Sequence, residues 1–185
     1  RLRSIDRFPG APRRGRGEYG ERGGVYGTNY TYPTEETISY FAKKGMTIIR
    51  LPFRWERLQS ALGGRLDEDE LKRLKDTIGL IRKHGMAVLL DPHNFGYYDK
   101  TQVGTAPATD AAFGDFWARL AVEFANQDGV LFGLMNEPHD IKATDWLDAA
   151  NAAIRSIRAV GARNLILVPG TAWSGASSWE KDVIG

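Results

Sequence analysis

One unit repeats along this chain of 185 residues: an amphipathic stretch, then a short apolar run that stops in polar residues. "YPTEETISYFAKKG" leads into "MTIIRLPF", and "LDEDELKRLKDTIGLIRKHG" leads into "MAVLLDPHN". "TDAAFGDFWARLAVEFAN" leads into "VLFGLMNEP", and "TDWLDAANAAIRSIRAVG" leads into "NLILVPG". The first halves carry helix signals. Thr34 is an N-cap with Glu35 and Glu36 in the first turn and Gly45 at the end, and Asp67 with Glu70 spells a capping box closed by Gly85. Leu71, Leu74, Ile78 and Ile81 share one face of the second helix, and Phe113, Trp117, Leu120 and Phe124 one face of the third. Leu147, Ala150, Ile154 and Ile157 are expected inward on the fourth. The apolar runs are strands beginning near residues 47, 87, 131 and 165, the first of them stopped by Pro52.

Strands apolar on both faces and separated by helices build a parallel sheet, because the crossover helices cover its faces. An α/β fold follows, either an open doubly wound sheet or a (β/α)8 TIM barrel. The strand tips separate the two. They read Arg50-Leu-Pro52, Asp91-Pro-His93-Asn94, Asn136-Glu137-Pro138-His139 and Pro169-Gly-Thr-Ala-Trp173. Polar and aromatic residues at the carboxyl end of every strand match the functional face of a barrel. No glycine-rich phosphate loop follows a strand, so a nucleotide fold has no anchor.

Composition excludes several classes of function. No apolar run approaches the roughly 20 residues of a membrane span, and "RLRSID" is not followed by the apolar core of a secretory signal. There is no cysteine, hence no disulfide, thiolate metal site or cysteine nucleophile. Three histidines without HExxH-type spacing argue against a metal centre, and no motif implies a cofactor. Residues 1–22 hold seven Arg against three carboxylates, although the whole chain carries only +2. A basic arm for nucleic acid is one reading of that cluster, but no lysine, basic helix or RNA-binding signature accompanies it. Residues 1–23 therefore read as an irregular Arg/Gly/Pro-rich leader, and 24–185 as the folded domain.

Chemistry concentrates at the tips. Glu137 stands where a strand stops, ahead of a proline that favours an extended backbone. At a barrel mouth it is placed to work as a general acid; the alternative is a carboxylate that caps a loop or pairs with an arginine. Asn136 can donate to a sugar hydroxyl or bond the loop backbone. Arg50, near the end of an apolar strand, is costly unless it is paired, and a partner carboxylate in the cleft would satisfy it. His93 can orient a carboxylate, bond a sugar hydroxyl or serve the loop, whereas His84 ends a helix and His139 has no role set by its position. Trp173 can offer a flat ring to a sugar face, with Trp179, Tyr97 and Tyr98 as weaker versions. Trp117 and Trp146 are packing residues, and Trp55 suits either the core or the cleft margin.

Together "KGMTIIRLPFRWERLQ", "VLLDPHNFGYY", "VLFGLMNEPH" and "ANAAIRSIRAVGARNLILVPGTAWSGASSW" resemble glycoside hydrolase family 5, most closely its endo-β-1,4-glucanases (cellulases), over about residues 24–180. The resemblance implies a (β/α)8 barrel and retaining hydrolysis of a β-glucan such as cellulose. Glu137 matches the family's acid/base, Arg50, His93 and Asn136 match positions around the reacting bond, and Trp173 looks like a sugar-stacking residue. A polymeric substrate implies secretion. A mannanase or xyloglucanase would share the acid/base motif, and a non-catalytic sugar-binding remnant would keep only the aromatic residues.

The resemblance also implies a nucleophile glutamate on a seventh strand, which Asp91, Asp99, Asp140 and Glu180 do not match. Asp91 reads as structural and Glu180 as a solvated loop residue. Residues 1–23 lack the family's first-strand motif and have the composition of an out-of-frame coding start. The expectation is a fragment holding roughly strands two to five of an endoglucanase barrel, releasing no reducing sugar by itself.

Overall fold

A computed structural model describes residues 3–4, as backbone, and 24–179. In chain order these form β1 (Arg3–Ser4), α1 (Glu35–Lys43), β2 (Ile48–Phe53), α2 (Trp55–Leu58), α3 (Glu68–Lys83) and β3 (Ala87–Pro92). A small hairpin follows, β4 (Tyr97–Tyr98) with β5 (Thr101–Gln102), then α4 (Asp110–Phe124), β6 (Val130–Gly133), α5 (Ala143–Ala159) and β7 (Ile166–Leu167). The four expected helix-strand units stand where periodicity places them. α2, the hairpin and β1 carry no such signal.

The sheet is parallel, in the order β1-β2-β3-β6-β7, which is the order of the chain once the hairpin is set aside. A doubly wound sheet reverses its strand order at a switch point. A barrel adds each strand on the same side as the last, and this sheet does that. Ile48 to Phe53 pair with Ala87 to Pro92, Val88 to Leu90 with Val130 to Phe132, and Phe132 and Gly133 with Ile166 and Leu167.

Alternation along β2 sends Ile49, Leu51 and Phe53 into the helix layer, each at most 2% exposed, and leaves Arg50 on the opposite face. Between sheet and helices lies the core of Trp55, Phe113, Phe116, Trp117, Phe124 and Phe132. Trp55 is thus a core residue; its indole N–H donates to Gln59 and packs edge-on against Tyr98. Burying an aromatic of this size contributes about 2–3 kcal/mol.

Three readings of the sequence need correction. β2 does not stop at Pro52 but runs through it to Phe53. Thr47 and Phe53 accept from Ala87 and His93 of the β3 side, so by alternation Pro52 faces the β1 side, where the described partner ends at Ser4 opposite Arg50. No ladder donor is required of Pro52 there. Asp67 does cap α3, accepting from the Glu70 N–H at 2.8 Å, but Glu70 does not return the bond. Its carboxylate is buried and accepts from the Tyr30 and Tyr32 hydroxyls instead. Leu147 is 50% exposed, and its neighbour Trp146 takes the inward place, donating its indole N–H to Pro169 O at 2.7 Å. Within the segment read as irregular, Arg3–Ser4 pair parallel with Ile49 and Arg50. The rest of that segment lies outside the described residues.

Candidate active site

Alternation puts Arg50 on the inner face of β2, Leu89 and Asp91 on the inner face of β3, and Gly133 at the end of β6. Their exposed ends, with the turn that carries Asn136 and Glu137, line a cleft of about 290 Å³ together with Pro169 and Trp179. Gly133 fits because a Cβ there would sit 3.1 Å from Leu90 O and 3.2 Å from the Leu89 side chain.

Asp91 is the hub. Its Oδ2 lies 3.1 Å from Arg50 Nη1 and 2.9 Å from His93 Nδ1. A carboxylate can only accept, so the imidazole carries its proton on Nδ1. Arg50 Nη1 also donates to Asn136 Oδ1 at 2.7 Å, joining three strand tips in one network. Asp91, His93 and Asn136 are each at most 5% exposed. Such burial is tolerable because the charges compensate one another and the hydrogen bonds are charge-assisted. The carboxylate partner of the half-buried Arg50 is therefore Asp91. Alternation along β3 carries the signal for it, since Leu89, Asp91 and His93 lie two residues apart.

Two groups on the cleft are left over. The Asn136 Nδ2 is buried and meets no acceptor among the described residues. Such a donor costs about 1–3 kcal/mol unless something in the cleft accepts from it. Glu137, half-buried, lines the cleft beside Asn136, and no described residue donates to its carboxylate or pairs with it. Its backbone is not extended as Pro138 would favour: φ is +36°, in the left-handed region. Asn136 N–H still donates to Pro92 O at 2.9 Å in the sheet direction, while Trp173 N–H binds Pro138 O at 3.2 Å. The chain must therefore turn sharply between the two, at a cost of about 1 kcal/mol or more for a residue with a Cβ.

An aromatic cluster gathers around the turn that follows Glu137. Trp173, also at positive φ (+54°) and 55% exposed, lies face to face with His139, ring centroids 3.8 Å apart and planes inclined by 11°. Phe95 and Tyr97 flank the pair, with His139 ring distances of 6.1 and 5.9 Å, and Phe95 meets His93 edge-on at 5.1 Å. Tyr98 is no rim residue: it is buried and donates to Gln59 O.

The loop holding His93 and Phe95 is fastened from below. Asn94 Oδ1 accepts from Trp55 N–H, its Nδ2 donates to buried Glu56, and Asp99 N–H donates to the same carboxylate. The Glu56 anchor had no periodic signal, lying in the four-residue α2. Among the described residues no three His, Asp or Glu side chains converge as metal ligands would.

Of the five residues singled out from sequence, Arg50, His93, Asn136 and Glu137 thus meet at one place; Trp173 is next in the chain to Ser174 of the cleft lining, and the tryptophan that itself lines the cleft is Trp179. A family model for cellulase, glycosyl hydrolase family 5, matches residues 14–182. Endo-β-1,4-glucanase B of Emericella nidulans is 37% identical over 165 residues, which cover 88% of this chain and 49% of the relative. The structure of XacCel5A in complex with cellopentaose has 46% identity and a TM-score of 0.86, covering 89% of this chain and 53% of that one. The endo-β-1,4-glucanase Xac0029 from Xanthomonas axonopodis pv. citri has 40% identity and a TM-score of 0.87, covering 93% and 55%. The chain spans about half the length of the curated relatives it matches. Its parallel sheet is part of a (β/α)8 barrel, and the chain belongs to the cellulase family of glycosyl hydrolases, family 5.

Proposed function

We propose that this chain carries the acid/base half of a retaining endo-β-1,4-glucanase site that works on cellulose-type β-glucan. The observation that carries the reading is the contrast among the cleft carboxylates: Asp91 Oδ2 is held by both Arg50 and His93, while Glu137 lines the cleft with no described partner. Glu137 protonates the glycosidic oxygen as the bond breaks and later takes a proton from the attacking water. The Asn136 Nδ2 donates to a sugar hydroxyl next to the reacting carbon. The Arg50–Asp91–His93 network holds Asn136 in place and presents a positive edge to the nucleophile. Retention requires a second carboxylate about 5–5.5 Å from the first. Asp91 is committed, so a strand outside this chain supplies it, in keeping with relatives about twice as long.

A mannanase or xyloglucanase would use the same acid/base. Relatives described as endo-β-1,4-glucanases, and a neighbour solved with cellopentaose, favour the β-1,4-glucan. An insoluble polymer as substrate favours secretion, and no helix among the described residues is long and apolar enough to cross a membrane.

The test is a chimera joining residues 24–179 to the remaining strands of Xac0029. It should hydrolyse carboxymethyl cellulose, and Glu137→Gln should slow it about 10²–10⁴-fold. Attack on an aryl cellobioside whose leaving group needs no proton should be largely spared in its first step. Equal loss on both substrates overturns the acid/base role.

A further inference from the structure

The site as described leaves His139 unused, although the imidazole lies flat against Trp173. Three observations converge on it. First, the stack is close and near-parallel, at 3.8 Å and 11°, and covers one face of an indole that is otherwise 55% exposed. Second, His139 Nδ1 is 2.8 Å from Asp140 Oδ2, so the ring cannot rotate away from Trp173 without breaking a bond to a carboxylate. Third, both backbones are anchored: His139 N–H donates to Phe95 O and Trp173 N–H to Pro138 O.

We propose that His139 is the positioning residue for Trp173: it backs the indole so that the open face is presented to sugar at a fixed angle, and it does so more firmly as the imidazolium. This rests on the sugar-binding reading of the cleft given above. The titratable groups facing the imidazole are the Asp140 carboxylate, on its own turn, and the Tyr97 phenol, from β4. Phe95 and Trp173 supply the apolar walls. A cation over an indole face is attracted to its quadrupole, and a cation beside Asp140 gains an ion pair. Both terms need the protonated ring. The neutral ring keeps only the aromatic stack.

The chain contains five tryptophans, and an imidazolium in contact quenches an indole, so the device has its own optical signature. Tryptophan emission of the 185-residue chain should fall as pH drops from 8 to 5. His139→Gln and Trp173→Phe should each abolish that step. A wild-type chain without the step, or a step that survives in His139→Gln, overturns the assignment.

Cellopentaose affinity, measured calorimetrically at pH 5.5 and 7.5, reads the consequence. Wild type should bind about threefold to tenfold tighter at the lower pH, and His139→Gln should bind equally at both. His139→Phe, a flat ring without charge, should retain the higher-pH affinity, while His139→Ala should lose it; equal retention in both overturns the positioning role. Absent sugar binding at either pH, with the emission step intact, sinks the sugar-binding reading and leaves the stack standing.

Discussion

Glu70 and Glu137 are both glutamates held against the body of the protein, and they are equipped in opposite ways. Glu70, 2% exposed, accepts from Tyr30 at 2.6 Å, from Tyr32 at 3.0 Å and from Arg73 at 3.1 Å. Arg57 lies over the Tyr30 ring at 3.9 Å, closing the cluster. Glu137 has a strained backbone, a cleft in front of it and no described donor. A carboxylate with both oxygens engaged ties α3 to the segment before α1. One whose lone pairs are left over, on a turn that costs energy to hold, is the carboxylate to which we assign the proton transfer in our proposal. Asp91 stands between the two: satisfied, yet satisfied by the groups that shape the cleft.

Exchanging the treatments of these carboxylates gives the sharpest tests. The largest effect is expected for Glu137→Gln in the chimera, the loss of about 10²–10⁴-fold in hydrolysis already given, with its urea midpoint shifted by no more than about 0.5 kcal/mol equivalent. Next comes Glu70→Ala, which strands two buried phenols and a cation. It should cost about 3 kcal/mol in urea unfolding and leave residual hydrolysis per folded molecule unchanged. Should Glu70→Ala be the milder change for stability, the contrast between the two glutamates fails.

Asp91→Asn belongs between them. It removes the charge that Arg50 and His93 share and should cost about 2 kcal/mol of stability. It should also free the His93 proton, seen as a loss of the fixed Nδ1–H tautomer in ¹⁵N NMR.

The smallest effect lies at high pH. Burial, followed by the bond to Glu70 and its negative charge, pushes the Tyr30 phenol from 10.0 up to about 12, and the same causes, with burial first, raise Tyr32. The native state therefore holds these protons longer than the unfolded chain does. Their contribution is complete below pH 10 and declines as pH rises from 10 towards about 12. Unfolding followed over that range should steepen there, and Tyr30→Phe should flatten part of the slope while costing about 1 kcal/mol at neutral pH.

Much of the fold was readable because its signals are local. Strands expected near 47, 87, 131 and 165 begin at 48, 87, 130 and 166, and three helices start at a threonine or aspartate cap. The parts that were not readable have no local signal. α2 is a single turn of helix, and β4 and β5 are two residues each, held by their surroundings. β1 exists through its pairing with β2 inside a stretch whose composition suggests irregular chain. On α5, period alone could not choose between Trp146 and the adjacent Leu147; the Pro169 carbonyl waiting for an indole N–H did.

By itself the sequence determined an alternation of helices and apolar strands, their parallel arrangement, and a set of polar and aromatic residues at the strand tips. Each of these follows from backbone periodicity and caps acting within about 20 residues. Only the tertiary structure decided what those tip residues do to one another. Arg50 and Asn136 are 86 positions apart, and Tyr30 and Glu70 are 40. Whether such pairs meet depends on strand register and on turns such as the left-handed one at Glu137, which overrides the local preference of a residue before proline. A carboxylate's partners are a property of the assembled sheet, so the glutamate that is saturated and the glutamate that is left open look alike until the strands stand side by side.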